Sequence, residues 1–161
     1  QVAYVVNDKD RMRKTMSMIV VSFVYLFILG TAAFCVVGVP LLRIIKPSAV
    51  VSIPVLLGLC LYQFILKYRN CYTSYFSCTN RILYVGGFTV SAVLCVLFSF
   101  IAIGPLRMGV WGLITAQIIS QAVYNLWKWP WLGHKELELS IGEMMRIGNR
   151  ETIELLRKFL K

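Results

Sequence analysis

The chain has 161 residues, 58% of them hydrophobic, with a formal charge of +10 and a mean hydropathy of +0.72. Several apolar runs approach the ~20 residues a helix needs to cross ~30 Å of hydrocarbon, which excludes an ordinary soluble domain. Its positive charges gather at the ends of those runs and in the tail rather than on an aromatic-interleaved basic surface, so they do not point to nucleic acid as a partner.

In the bilayer core no water satisfies backbone groups, so runs of this kind close their own hydrogen bonds as helix. The expected fold is all-α: a polytopic membrane bundle of about four helices over residues 1–137, followed by an amphipathic tail over residues 138–161. Residues 1–15 are polar and basic, with Asn7 and Asp8 placed to cap a helix from Lys9. Lys9, Arg11, Arg13 and Lys14 then serve as a topology anchor on one membrane surface. The first span covers residues 18–39 and is expected to end at Pro40, with a link holding Arg43, Lys46 and Pro47. Pro47 is placed to start the next helix.

The second span covers residues 50–78, with a kink expected at Pro54. Along it Gln63, Lys67, Asn70, Ser74, Ser77 and Arg81 recur at spacings of three and four, which places them on one polar stripe. Lys67 and Arg69 fall near the far interface, where long basic side chains reach the headgroups. A turn at Thr79, Asn80 and Arg81 leads to a third span, residues 82–103, which Gly104 and Pro105 end. The fourth span, residues 110–127, carries Gln117, Gln121 and Asn125 on one face and closes in Trp127-Lys128-Trp129-Pro130-Trp131, an interfacial belt. In the tail, apolar and basic residues alternate with helical period, and Gly148 is expected to divide a helix lying on the membrane surface.

Lys and Arg placement puts both termini on the cytoplasmic side, since Arg43, Lys46 and Arg107 alone face the other way. Cys35, Cys60, Cys71, Cys78 and Cys95 are odd in number and lack metal or disulfide spacing, so they read as small apolar residues. His134, the single histidine, reads as a solvated loop residue. No nucleophile, phosphate-loop, metal or cofactor motif is present, and no enzyme activity is expected. All seven acidic residues lie in the first segment or the tail, so the spans lack the carboxylates of a proton relay.

Two readings of the polar faces stand side by side. One is interhelical glue, worth about 0.6 kcal/mol per hydrogen bond. The other is a cavity for an anionic, hydroxyl-rich cargo, with Lys67, Arg69 and Arg81 on phosphates and Gln63, Asn70, Gln117, Gln121 and Asn125 on sugar hydroxyls.

The run Gly109-Val110-Trp111-Gly112-Leu113-Ile114-Thr115-Ala116-Gln117-Ile118-Ile119-Ser120-Gln121, continuing to Asn125-Leu126-Trp127-Lys128-Trp129-Pro130, resembles the last spans of bacterial Wzx-type polysaccharide flippases of the multidrug/oligosaccharidyl-lipid/polysaccharide exporter superfamily. The Thr79-Asn80-Arg81 turn and the basic segment from Asn7 to Lys14 are similar too. The resemblance implies movement of an undecaprenyl-pyrophosphate-linked oligosaccharide across the bacterial inner membrane. It also implies that the chain is the C-terminal portion of a transporter of 12 or more helices in two lobes, whose remaining helices or partner subunits complete it. A small four-span translocase like the GtrA family, and a non-transporting accessory or assembly subunit, are the alternatives.

Overall fold

The computed structural model describes residues 8–46 and 52–159. Among them the chain forms α1 (Lys9–Ala33), a π-helical turn (Phe34–Gly38), α2 (Val39–Ile45), α3 (Ile53–Cys78), α4 (Val85–Ile103), α5 (Gly109–Ala122), α6 (Asn125–Leu137) and α7 (Ile141–Phe159), with no strand. Asn7 and Pro47, assigned to helix starts from the sequence, lie outside the described residues.

Asp8 begins α1 as expected: its carboxylate accepts the Arg11 amide at 3.0 Å and so satisfies one of the free donors at a helix start. The expected stop at Pro40 does not occur. Pro40 has no amide to give, and the chain widens just ahead of it, where the Val39 amide reaches back five residues to Phe34. That wide turn takes up the missing hydrogen bond and the ring's bulk. Helix therefore runs unbroken over Lys9–Ile45, 37 residues or roughly 55 Å. Pro54 likewise makes no kink, because it lies in the first turn of α3, where its amide would have had no partner.

α3 ends in a hydrogen-bonded reverse turn. Asn80 takes left-handed φ (58°), the Arg81 amide donates to Phe76 and the Asn80 amide to Ser77. Glu138 repeats this geometry after α6. Ser140 and Glu143 then cap α7 reciprocally: the Ser140 amide donates to the Glu143 carboxylate at 3.0 Å, and the Glu143 amide to Ser140 Oγ at 3.2 Å. Those bonds from Ser140 hold the Glu143 carboxyl below the usual carboxylate range.

The molecule has two unlike ends. Its buried core joins Met16 and Val20 of α1, Tyr72 and Phe76 of α3, Trp129 and Leu137 of α6, Leu139, and Met144 of α7. Phe64, stacked on Phe23 and met edge-on by Phe27, marks where α1 and α3 leave that core. Beyond it the apolar side chains are mostly uncovered, from Leu26 and Leu29 through Val36 to Ile44 on α1–α2 and from Val90 to Phe100 on α4. Two helices are long and apolar enough to cross a membrane, Lys9–Ile45 and Val85–Ile103, and only 11% and 17% of their most apolar stretches are buried. A helix at the centre of a soluble fold would be covered; these are not.

Three expectations for the polar end are corrected. Gly148 does not break α7; a Cβ there would lie 2.5 Å from the Ser17 carbonyl and from Val21, so glycine is what lets α7 press against α1. α7 thus packs on α1 through Met144 and Gly148, while Ile141, Met145, Ile153 and Leu156 stay exposed. His134 is no loop residue: it sits in α6, its Nδ1–H donates to the Leu139 carbonyl at 2.8 Å, and its Nε2 lies 3.2 Å from the Tyr72 hydroxyl. The tryptophan run does not form one belt either. Helix continues through it, leaving Trp127 and Trp131 exposed while Trp129 and Pro130 enter the core.

Candidate functional site

α5 and α6 would be one helix but for a break at Val123 and Tyr124, where Tyr124 adopts φ −135° and ψ −54°. The break swings Asn125 towards α4. Space for it exists because residue 87 is glycine: a Cβ there would stand 2.7 Å from the Tyr124 ring and 3.0 Å from Asn125 Oδ1. Asn125 is fully buried and joins three elements. Its Nδ2 donates to Ser91 Oγ at 2.7 Å and to Gln121 Oε1 at 3.1 Å, and its Oδ1 accepts the Trp129 indole N–H at 2.8 Å.

Arg69 of α3 completes this network. Its Nη1 donates to Gln121 Oε1 at 2.6 Å, its Nε and Nη2 donate to Asn70 Oδ1 at 3.3 and 3.1 Å, and the guanidinium lies 4.0 Å from the centre of the Phe88 ring. Only 9% of Arg69 is exposed, and among the described residues no carboxylate pairs with it. Three of its five N–H groups are thus bonded, all to amide oxygens. A guanidinium does not give up its proton in proteins. Its charge is therefore offset only by dipoles and a ring face.

The three cations grouped by sequence go to three different places. Arg69 enters this seam. Arg81 pairs with Glu136 of α6 at 2.7 Å, near the surface. Lys67 borders a groove of about 390 Å³ between α1 and α3, walled by Met12, Met16, Ile19 and Phe23 on one side and by Asn70, Ser74 and Tyr75 on the other. Asn70 belongs to both regions, holding Arg69 through its carbonyl while it lines the groove. Gln63 is exposed on α3 outside the groove lining, and Gln117 is half-buried on α5 with no side-chain hydrogen bond among the described residues. Ser77 bonds the Tyr84 hydroxyl at 2.8 Å, which ties the end of α3 to the start of α4.

Sequence reasoning missed Ser91, Phe88, Gly87 and Trp129. Ser91 was detectable only as one of three hydroxyls, with Thr89 and Ser99, inside an apolar run, and Trp129 as the tryptophan four residues after Asn125 on the same helical face. No group of three or more metal-ligating side chains occurs among the described residues. No protein-family model, curated protein or solved structure matches the chain.

Proposed function

We propose that this chain is part of a multi-pass membrane transporter that moves an anionic lipid-linked oligosaccharide from the cytoplasmic to the outer leaflet, as Wzx-type flippases do. In this reading four spans cross the bacterial inner membrane and both termini are cytoplasmic. The observation that supports it is Arg69: a buried guanidinium, level with the first turns of α4, held by amides and a ring with no carboxylate partner. A charge buried in this way is costly unless something compensates it, and a cation held without a counter-charge near the membrane interface is placed to meet an anionic group. Opening the seam between α3 and α5 would offer the guanidinium to a phosphate, while Gln121 and Asn125 turn their amides to sugar hydroxyls.

The test is export of lipid-linked oligosaccharide by the natural protein carrying Arg69→Gln or Arg69→Lys, normalised to membrane abundance. Gln is expected to abolish export at undiminished abundance, and Lys, which keeps the charge but not the fork, to retain part of it. Full export by the Gln variant would sink the proposal. A second reading, an assembly subunit without transport, is favoured by how completely Asn125 is bonded across α4, α5 and α6. In that case Gln121→Leu and Asn125→Leu lower abundance first and leave export per molecule unchanged.

A further inference from the structure

The groove between α1 and α3 is separate from the Arg69 seam, and its lining is of a different kind. Its long walls are apolar, from Met12, Met16, Ile19 and Phe23 of α1 and from Cys71 and Tyr75 of α3. Its polar atoms come from Thr15, Lys67, Asn70, Ser74 and Thr79. No carboxylate lines it, and Lys67 makes no ion pair among the described residues. Glu136, Glu138 and Glu151 are committed to other cations: Arg81, then Lys9 and Arg13, then Arg150.

α1 and α3 run antiparallel here: Phe23 and Phe27 meet Phe64, while the earlier Met16 and Val20 share a core with the later Tyr72 and Phe76. Lys67 and Phe23 therefore stand at the mouth nearer the uncovered apolar helices, and Met12, Cys78 and Thr79 at the opposite mouth. At about 390 Å³ the groove is near the lower bound of ~300 Å³ for small-ligand pockets. That is room for a phosphate headgroup and its glycerol.

We infer that this groove binds an anionic phospholipid of the surrounding bilayer, with the lipid phosphate on Lys67, headgroup hydroxyls on Asn70 and Ser74, and an acyl chain leaving over Phe23. An ammonium without a carboxylate partner, beside neutral donors and next to an apolar wall, matches an anion that carries a chain. A free phosphate would satisfy Lys67 but leave the apolar walls unused. A zwitterionic lipid would place its own cation against the ammonium.

The full chain reconstituted in nanodiscs that contain equal amounts of phosphatidylglycerol and phosphatidylcholine, then released for native mass spectrometry, reports which lipid stays bound. Phosphatidylglycerol is expected to be retained preferentially. Lys67→Ala should cut that preference about fivefold, the factor expected for one cation near an anionic surface. Lys67→Arg should keep it. Lys128→Ala makes the same charge change outside the groove and should have no effect, and Ser74→Trp, which fills the groove without touching Lys67, should lower retention as Lys67→Ala does. Undiminished preference in Lys67→Ala, an equal loss in Lys128→Ala, or complete displacement of the lipid by millimolar inorganic phosphate would each overturn the assignment.

Discussion

Lys67 and Arg69 are two positions apart on α3, a separation that turns side chains about 200° from one another on a helix. One therefore faces the groove and the other the seam, although both carry the same charge at nearly the same depth. The seam's stability is set by how Arg69 is satisfied, and Gln121 Oε1 is the acceptor it shares with Asn125. Two magnitudes compete for Gln121→Leu. An interhelical hydrogen bond between neutral groups in a membrane is worth about 0.6 kcal/mol. Stripping the partner from a buried charge costs about 3–5 kcal/mol. The second governs, because Arg69 keeps only Asn70 after the change and water has little access to it. Gln121→Leu is thus expected to lower the thermal midpoint in detergent far more than Gln117→Leu, whose side chain makes no hydrogen bond among the described residues. Equal midpoints for the two variants would mean that α5 is held to α3 by packing alone.

At the scale of the element, α7 is decided by one glycine. Gly148 lies against Ser17 and Val21, and further along the Ser22 and Thr152 hydroxyls meet at 3.0 Å, so the two helices run side by side in the same direction; the long Tyr25 side chain reaches back to donate to Asn149 Oδ1 at 3.0 Å. At the start of that pairing Arg13 Nε donates to the Leu137 carbonyl at 2.6 Å and its Nη2 meets Glu138 at 3.2 Å. Gly148→Leu forces a side chain into the Ser17 carbonyl and Val21, and overpacking of this kind costs about 1–3 kcal/mol. Limited proteolysis is expected to cut the tail of this variant faster than that of the parent, while Gly142→Leu, where a Cβ meets nothing within 4 Å, leaves the rate unchanged. Matching rates for the two leucine variants would show that α7 does not depend on the close approach.

These cases also mark what the sequence could and could not disclose. Helical period was legible, and with it the polar faces, the end of α3 at Thr79 and the stop after Ile103. Proline and glycine misled, because their effect depends on neighbours: Pro40 is absorbed by a wide turn upstream, and Gly148 looks like a breaker until α1 lies against it. The Tyr124 break that aims Asn125 at Ser91 carries no local signal at all, since neither Gly nor Pro marks it. The half-buried place of His134 depends on Tyr72, sixty-two residues earlier in the chain, and no window of sequence joins them.

The whole molecule pairs a packed basic end with an uncovered apolar one. Helix over Lys9–Ile45 is roughly 55 Å long, whereas hydrocarbon spans ~30 Å, so a bilayer around the uncovered half leaves about 25 Å of α1 outside it. That excess carries Lys9, Arg11, Arg13 and Lys14 and packs on α6 and α7, while Arg43, Lys46 and Arg107 stand at the far end. The positive-inside rule predicts that the packed end is the cytoplasmic one, as the proposed function requires. Cys78 is exposed at that end, and Lys46 is exposed at the other. A variant that keeps Cys78 as its single cysteine should resist a membrane-impermeant maleimide in intact cells and react with it in inverted vesicles. Lys46→Cys in a cysteine-free background should do the reverse. Reaction of Cys78 from outside intact cells would invert the orientation, set the basic end against the rule, and move the mouth of the groove at Lys67 to the outer leaflet. Reaction of both positions from both sides would remove the bilayer from this half of the chain altogether, and with it the reason for the uncovered apolar faces of α1, α2 and α4.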